Sequence, residues 1–242
     1  MTAPTVDITG SDLNFNAGTT ITKSLTLGAS ATSVWVIAPY WSTSGSVGNI
    51  TGITWNTVAL TKVTSGTRGA NAGTVEVWAL AGPATGTHNM VTTFQSNANN
   101  GSLYYISFNN TPTTGGLGTL WADITLLTVV TSANSTLTVP NNTSNDALLD
   151  GVILAANVSP AMTAQTNRVQ ISTSSNGNGN GQGASSLTPG PTGNQVMNWT
   201  FASNEHAQTA LRVLGTVAAG LPTGQESGVG GGDSASTTAM MR

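Results

Sequence analysis

Two histidines, nine carboxylates and no cysteine are what this 242-residue chain offers to acid–base, nucleophilic or metal chemistry. His206 follows Glu205 in SNEHAQ and His88 sits in GTHNM, and neither belongs to an HxH or HExxH pattern. A zinc site takes three or four ligands with local spacing, so both histidines read as turn or loop residues, the Glu205–His206 pair as solvated. Asp146 and Asp150 lie four apart around ALL. On a strand they share a face at a separation of about 13 Å, too wide for one metal. Glu76, between Val75 and Val77, reads as the solvent side of its strand. Glycoside hydrolysis needs two carboxylates converging on a cleft, and no ExDxxE pattern supplies them. There is no GxSxG elbow and no GxxxxGK[ST] loop, and without cysteine no thiolate chemistry. The chain is expected to be no enzyme, with no cofactor and no metal. Aromatic residues are the better binding candidates. Trp35, Trp78 and Trp199 fall in strand-like runs that a core would fill. Tyr40 and Trp41, directly before STSGSVG, form a candidate exposed platform for a saccharide, with Trp121 a second such position. Tyr104 and Tyr105 point to opposite strand faces, which predicts one of them exposed.

The elements that would carry these residues are strands. Short runs alternate with period 2 between Gly, Asn, Pro and Ser punctuation, the pattern of half-buried β-structure. The runs are 22–27, 33–40, 57–63, 74–80, 90–94, 103–108, 135–139, 147–155, 168–173, 195–201 and 208–215. Ser33–Tyr40 is almost wholly apolar, as in a strand covered on both faces. Ala147–Ala156 admits a helix by composition, but Gly151, Val152 and Ile153 favour a strand. No segment reads as a helix long enough to cross between parallel strands. The expected fold is therefore all-β: an antiparallel two-sheet β-sandwich over residues 1–218, with an extended Gly/Ser-rich C-terminal tail over 219–242. A division near Pro112–Gly118 is the other organisation considered, but neither half alone has enough strands to close both faces. The Gly/Asn tract Ser174–Gly183 is expected to be a long loop or hairpin tip that buries nothing.

Composition narrows the function classes. Six basic and nine acidic residues leave a net charge of −3, and 6% of residues are charged, against about 25% in an ordinary domain. Six scattered cations make no counterion-displacing patch, so no nucleic acid is expected as partner. The first ten residues carry neither a basic nor an apolar export segment. No run approaches the roughly 18 apolar residues of a membrane helix. Synthesis in a cytoplasm combined with a hydroxyl- and amide-rich surface suits a particle that is assembled inside a cell and released.

Residues 49–63 carry a resemblance. Asn49-Ile50-Thr51-Gly52-Ile53-Thr54-Trp55 and Val58-Ala59-Leu60-Thr61-Lys62-Val63 resemble "ITGVTYGGVALTKV", a stretch found in tailed-phage structural proteins and bacterial surface chains. Val75–Leu80 resembles the "VELWYL" strand that follows it, Pro83–His88 the "PATGTHTVTVTF" hairpin, and Ile106–Asn109 the "VSFTGV" strand. The match covers roughly residues 20–110 and departs at Asn56-Thr57, where the pattern has two glycines. It implies a jelly-roll-like β-sandwich without a catalytic residue. On this resemblance the expected role is a phage virion structural protein, a decoration or cement subunit on the head lattice. Its partners would be the major capsid protein or other virion subunits and further copies of itself, in a trimer or other symmetric oligomer. The tail would grip neighbours through Leu221, Met240, Met241 and Arg242. The alternative expectation is a carbohydrate-binding module on a tail fibre or cell surface.

Overall fold

The computed structural model describes residues 2–41, 50–68, 73–113, 119–155, 157–176 and 180–216. The tail from 217 onward, with Leu221, Met240, Met241 and Arg242, lies outside the described residues. Thirteen strands account for the fold: β1 (Thr5–Leu27), β2 (Ser33–Trp41), β3 (Ile50–Trp55), β4 (Val58–Ala59), β5 (Thr61–Arg68), β6 (Gly73–Ala81), β7 (Gly86–Asn109), β8 (Trp121–Asn142), β9 (Ala147–Leu154), β10 (Ala161–Met162), β11 (Arg168–Asn176), β12 (Asn180–Leu187) and β13 (Gly193–Val213). The chain is all-β with antiparallel pairing throughout, and its two sheets are β4-β3-β7-β2-β6-β5 with β1 on β7, and β10-β13-β9-β12-β11 with β8 on β13.

Those two orders are the same order. Replacing β1, β2, β3, β5, β6 and β7 by β8, β9, β10, β11, β12 and β13 converts every pairing of the first sheet into one of the second, β4 alone having no counterpart. The division falls between Asn109 and Trp121, the connection containing Pro112. Each half covers one of its faces by bending its sheet over itself. β1 and β7 pair along 23 and 24 residues, a ribbon of roughly 75 Å at the usual rise. Its register breaks where Gly18 faces Ala98 and Thr20 faces Thr93, and such bulges bend a strand. Ile53, Trp55, Met90 and Phe94 of the folded-over part then pack on Val36, Tyr40 and Trp78 of the same sheet; the Tyr40 and Phe94 rings meet edge-on at 5.7 Å. The second half repeats the device. β13 and β8 break register between Thr200 and Asn204, and Met197 and Leu137 come down on Leu148 and Leu187.

The two sheets also pack against each other through a shared core of Trp35, Ile37, Val75 and Phe108 from one half with Leu149, Ile153, Ala207 and Leu211 from the other. The contacts are reciprocal: β5 lies on β8 as β11 lies on β1, β5 on β13 as β11 on β7, and β2 on β9. That is the signature of an isologous interface, here inside one chain. Glycines let the faces close. A Cβ on Gly151 would stand 2.4 Å from Ile37 Cγ2 and 3.0 Å from Val75 Cγ2, and one on Gly73 would stand 2.5 Å from Ile153 Cδ1. Gly151→Val is expected to lower stability by about 1–3 kcal/mol through overpacking, read as a reduced urea midpoint.

β2 and β9 are buried along almost their whole length, because each has its own half's core on one side and the shared core on the other. Tyr104 and Tyr105 are both buried for the same reason, one in each core, which corrects the expectation that one is exposed. The first and last described residues and the crossover meet at one place: Thr2 N donates to Thr216 O at 3.0 Å, Thr216 N to Asn110 O at 2.8 Å and Leu214 N to Leu120 O at 3.0 Å.

Candidate functional site

The aromatic platform expected at Tyr40 and Trp41 does not form as a pair. Tyr40 is 1% exposed, covered by the folded-over layer, and its hydroxyl donates to Glu76 Oε1 at 3.2 Å. Burial beside that carboxylate pushes the phenol well above its usual range. Trp41, the last residue of β2, is half-buried. Trp121 is half-buried as well and abuts Trp35 edge-on at 6.1 Å, so it belongs to the shared core.

Three carboxylates, Glu76, Asp146 and Asp150, are turned inward. Glu76, expected on the solvent side of its strand, is 1% exposed, because β6 is covered on both faces. It accepts from Trp78 Nε1 at 2.8 Å and from Lys62 Nζ at 3.2 Å, and the ammonium also lies 5.5 Å from the Trp78 ring. Burial pushes the Glu76 carboxyl up, against the pull of Lys62 and these donors. The second half holds a comparable cluster. Asp150 accepts from Arg168 at 3.1 Å, from Gln208 at 2.9 Å, and from Trp199 Nε1 and Ser185 Oγ. Neither Asp150 nor Arg168 has exposed side-chain surface. Arg168 also donates to Asn198 O at 2.9 Å, and Gln208 accepts from Ser135 at 2.7 Å. The cluster thus joins β8, β9, β11, β12 and β13. Asp146 goes its own way, to Arg212 at 3.2 Å, which also binds Asp123 at 2.8 Å. Among the described residues no three His, Cys, Asp or Glu side chains converge as metal ligands. No helix of the described residues is long and apolar enough to cross a membrane.

His206 is buried at 0% exposure rather than solvated beside Glu205. Its Nδ1 faces Asn204 O at 3.0 Å, so Nδ1 carries the proton, and its ring packs on Phe201 at 5.0 Å. Burial lowers its pKa from 6.5. Below that value the unfolded chain takes up a proton that the folded chain resists, so this group's contribution to stability falls as pH drops. His206→Gln is expected to flatten the decline of the melting temperature between about pH 7 and pH 5, measured by calorimetry across that range.

A groove that the residue types did not announce lies on the outer face of the folded-over layer. Ser24 of β1, Asn89 of β7 and Asn56 stand in one row across the strands, with Val91 and Thr54 in the next. Together with Thr57, Thr87 and His88 they line an open groove of about 400 Å³. The His88 ring stands edge-on to Trp55 at 5.5 Å, and its Nε2 donates to Thr85 O at 3.0 Å, which leaves Nδ1 as an acceptor in the neutral ring. The groove is bordered by the β3–β4 hairpin turn, where Asn56 and Thr57 both have positive φ, 45° and 69°. A two-residue turn of this sort suits Asn-Gly or Gly-Gly. Asn tolerates it, whereas left-handed backbone costs an L-residue about 1–2 kcal/mol and a β-branched one is a true outlier there. The departure of Asn56-Thr57 from the paired glycines of the resembling pattern was the signal for this site.

Compared with described protein families, curated proteins and solved structures, the chain matches none.

Proposed function

We propose that this chain is a structural subunit of a phage particle, a decoration or cement protein whose halves are each jelly-roll-like. The observation that carries the reading is the internal twofold-like repeat: two equivalent halves, back to back, offer two comparable outer layers to two neighbouring subunits of a lattice. Bridging two neighbours is the task of cement. The pairing of Lys62, Arg168 and Arg212 with carboxylates favours a hydroxyl- and amide-rich outside, suited to broad neutral contacts. Multivalency on a lattice makes weak single contacts sufficient. The extended tail, through Leu221, Met240, Met241 and Arg242, lies along adjacent subunits in this reading, and the subunit joins a symmetric oligomer such as a trimer on the major capsid protein.

The test is on purified particles. Mass spectrometry should find the chain at hundreds of copies per virion, and deletion of 221–242 should lower that occupancy while leaving the sandwich folded. Absence from particles, or a handful of copies, overturns the head-lattice reading; unchanged occupancy after the deletion overturns the role of the tail. The second reading, a carbohydrate-binding module built on Tyr40 and Trp41, loses half its platform with Tyr40 in the core.

A further inference from the structure

We propose that the groove bordered by the Asn56–Thr57 turn, on the face of β1, β3 and β7, binds a neutral saccharide residue. This goes beyond a lattice role and does not depend on it. Its volume of about 400 Å³ falls within the ordinary span of ligand pockets, about 300–1,000 Å³. The lining decides the ligand class. Among the described residues no Asp, Glu, Lys or Arg lines the groove, so a phosphate, sulfate or carboxylate would bring a charge with no counter-charge to meet it. Hydroxyl and amide groups each donate and accept, and Ser24, Thr54, Asn56 and Asn89 present them within one small area. Ligand hydroxyls donate and accept in the same way, so a ring dense in hydroxyls can pair with several at once. Val91 supplies an apolar patch in the middle of this polar surface for the C–H face of such a ring. His88 adds a ring held in place by Trp55 and Thr85.

The backbone is a second, independent observation. Thr57 at φ 69° is held where glycine would be unstrained, and it sits on the rim of the groove. Strained residues of this sort cluster at binding sites. The Thr57 hydroxyl is what the strained position adds over glycine.

The full chain should be applied to an array of neutral, sialylated and sulfated glycans, beside Asn89→Val, Ser24→Val and Thr57→Gly variants and a control, Thr138→Val, on the exposed face of β8. Asn89 and Ser24 are exposed, so their variants keep the fold. The expected result is retention of one or more neutral glycans, weakened at least about tenfold, or 1.4 kcal/mol, by Asn89→Val and Ser24→Val and unaffected by Thr138→Val. Thr57→Gly should weaken binding while raising the melting temperature by about 2–4 °C, the shift of a roughly 1 kcal/mol gain in a chain of this size. No retained glycan, a preference for acidic glycans, or binding that survives Asn89→Val but is lost in Trp41→Ala would each overturn the proposal.

Discussion

Replacing Arg168 with leucine is expected to destabilise the fold by about 3–5 kcal/mol, the usual cost of leaving a buried charge without its partner. Asp150 and Arg168 both have 0% exposed side-chain surface, so no water can stand in for the guanidinium. The loss would reach all five strands that the cluster joins. It should also strengthen a pH response. Burial already pushes the Asp150 carboxyl above its usual 3.8, with Arg168 opposing. Without Arg168 nothing offsets that burial by charge, so the folded variant binds a proton at a pH where the unfolded chain does not. Its stability therefore rises as pH falls from neutrality towards 4. The double variant Arg168→Leu/Asp150→Asn keeps an acceptor for Trp199 and Gln208 and removes the unpaired charge, so it should regain more than half of the loss. Urea denaturation of the three proteins at pH 7 and pH 5 checks all of this. A single variant within about 1 kcal/mol of wild type, the range of exposed ion pairs, would show that the pair is solvated.

Trp35→Ala should cost a similar amount, about 3–5 kcal/mol, by a different route. Trp35 is fully buried where the two halves meet, its Nε1 donating to Ser33 Oγ at 3.0 Å and its ring against Trp121 of the other half. The cavity opens in the shared core, so both halves are expected to lose stability together and unfold in one transition at a lower midpoint. Two separate transitions would mean that each half is stable alone and the shared core contributes little. Val58→Ala, at a position 52% exposed on β4, is the control, expected within about 0.5 kcal/mol of wild type.

Much of the β-structure was legible in the residues. Ser33–Tyr40 reads as a strand covered on both faces and forms β2, Ala147–Ala155 forms β9 rather than a helix, and Trp35 and Trp199 are core residues. Strand length was not legible. Met90–Phe94 and Leu103–Phe108 read as two strands because the Asn-rich stretch between them has no alternation, yet both belong to β7, paired with β1 along its length. Across that stretch the period-2 signal disappears although the strand continues. The same holds for 195–201 and 208–215, which are one strand, β13. With the long strands cut in two, the shared order of the two halves cannot be seen.

Burial on both faces explains the other corrections. Alternation tells inside from outside only in a strand with one wet face, and β6 has none, so Glu76 looked solvent-facing. The usable sign was a lone carboxylate in the otherwise apolar run TVEVWAL, which must be paired to be tolerated. The Gly/Asn tract was expected to bury nothing. Instead Gly181, Gln182 and Gly183 are buried in β12, and a Cβ on Gly183 would stand 2.9 Å from the Trp199 ring. Gly183 leaves the space that Trp199 needs, and Gly181 the space for the Val158 carbonyl and Leu154.

The hydrogen bonds that join Thr2 to Thr216 and Thr216 to Asn110 have a topological consequence. Start, midpoint and finish of the body share one pole, so the order in which the halves are threaded is almost immaterial to the folded object. A circular permutant that closes residue 216 back to residue 2 through a short linker, and begins instead after the connection near Pro112, would run C-terminal half first and preserve every strand pairing.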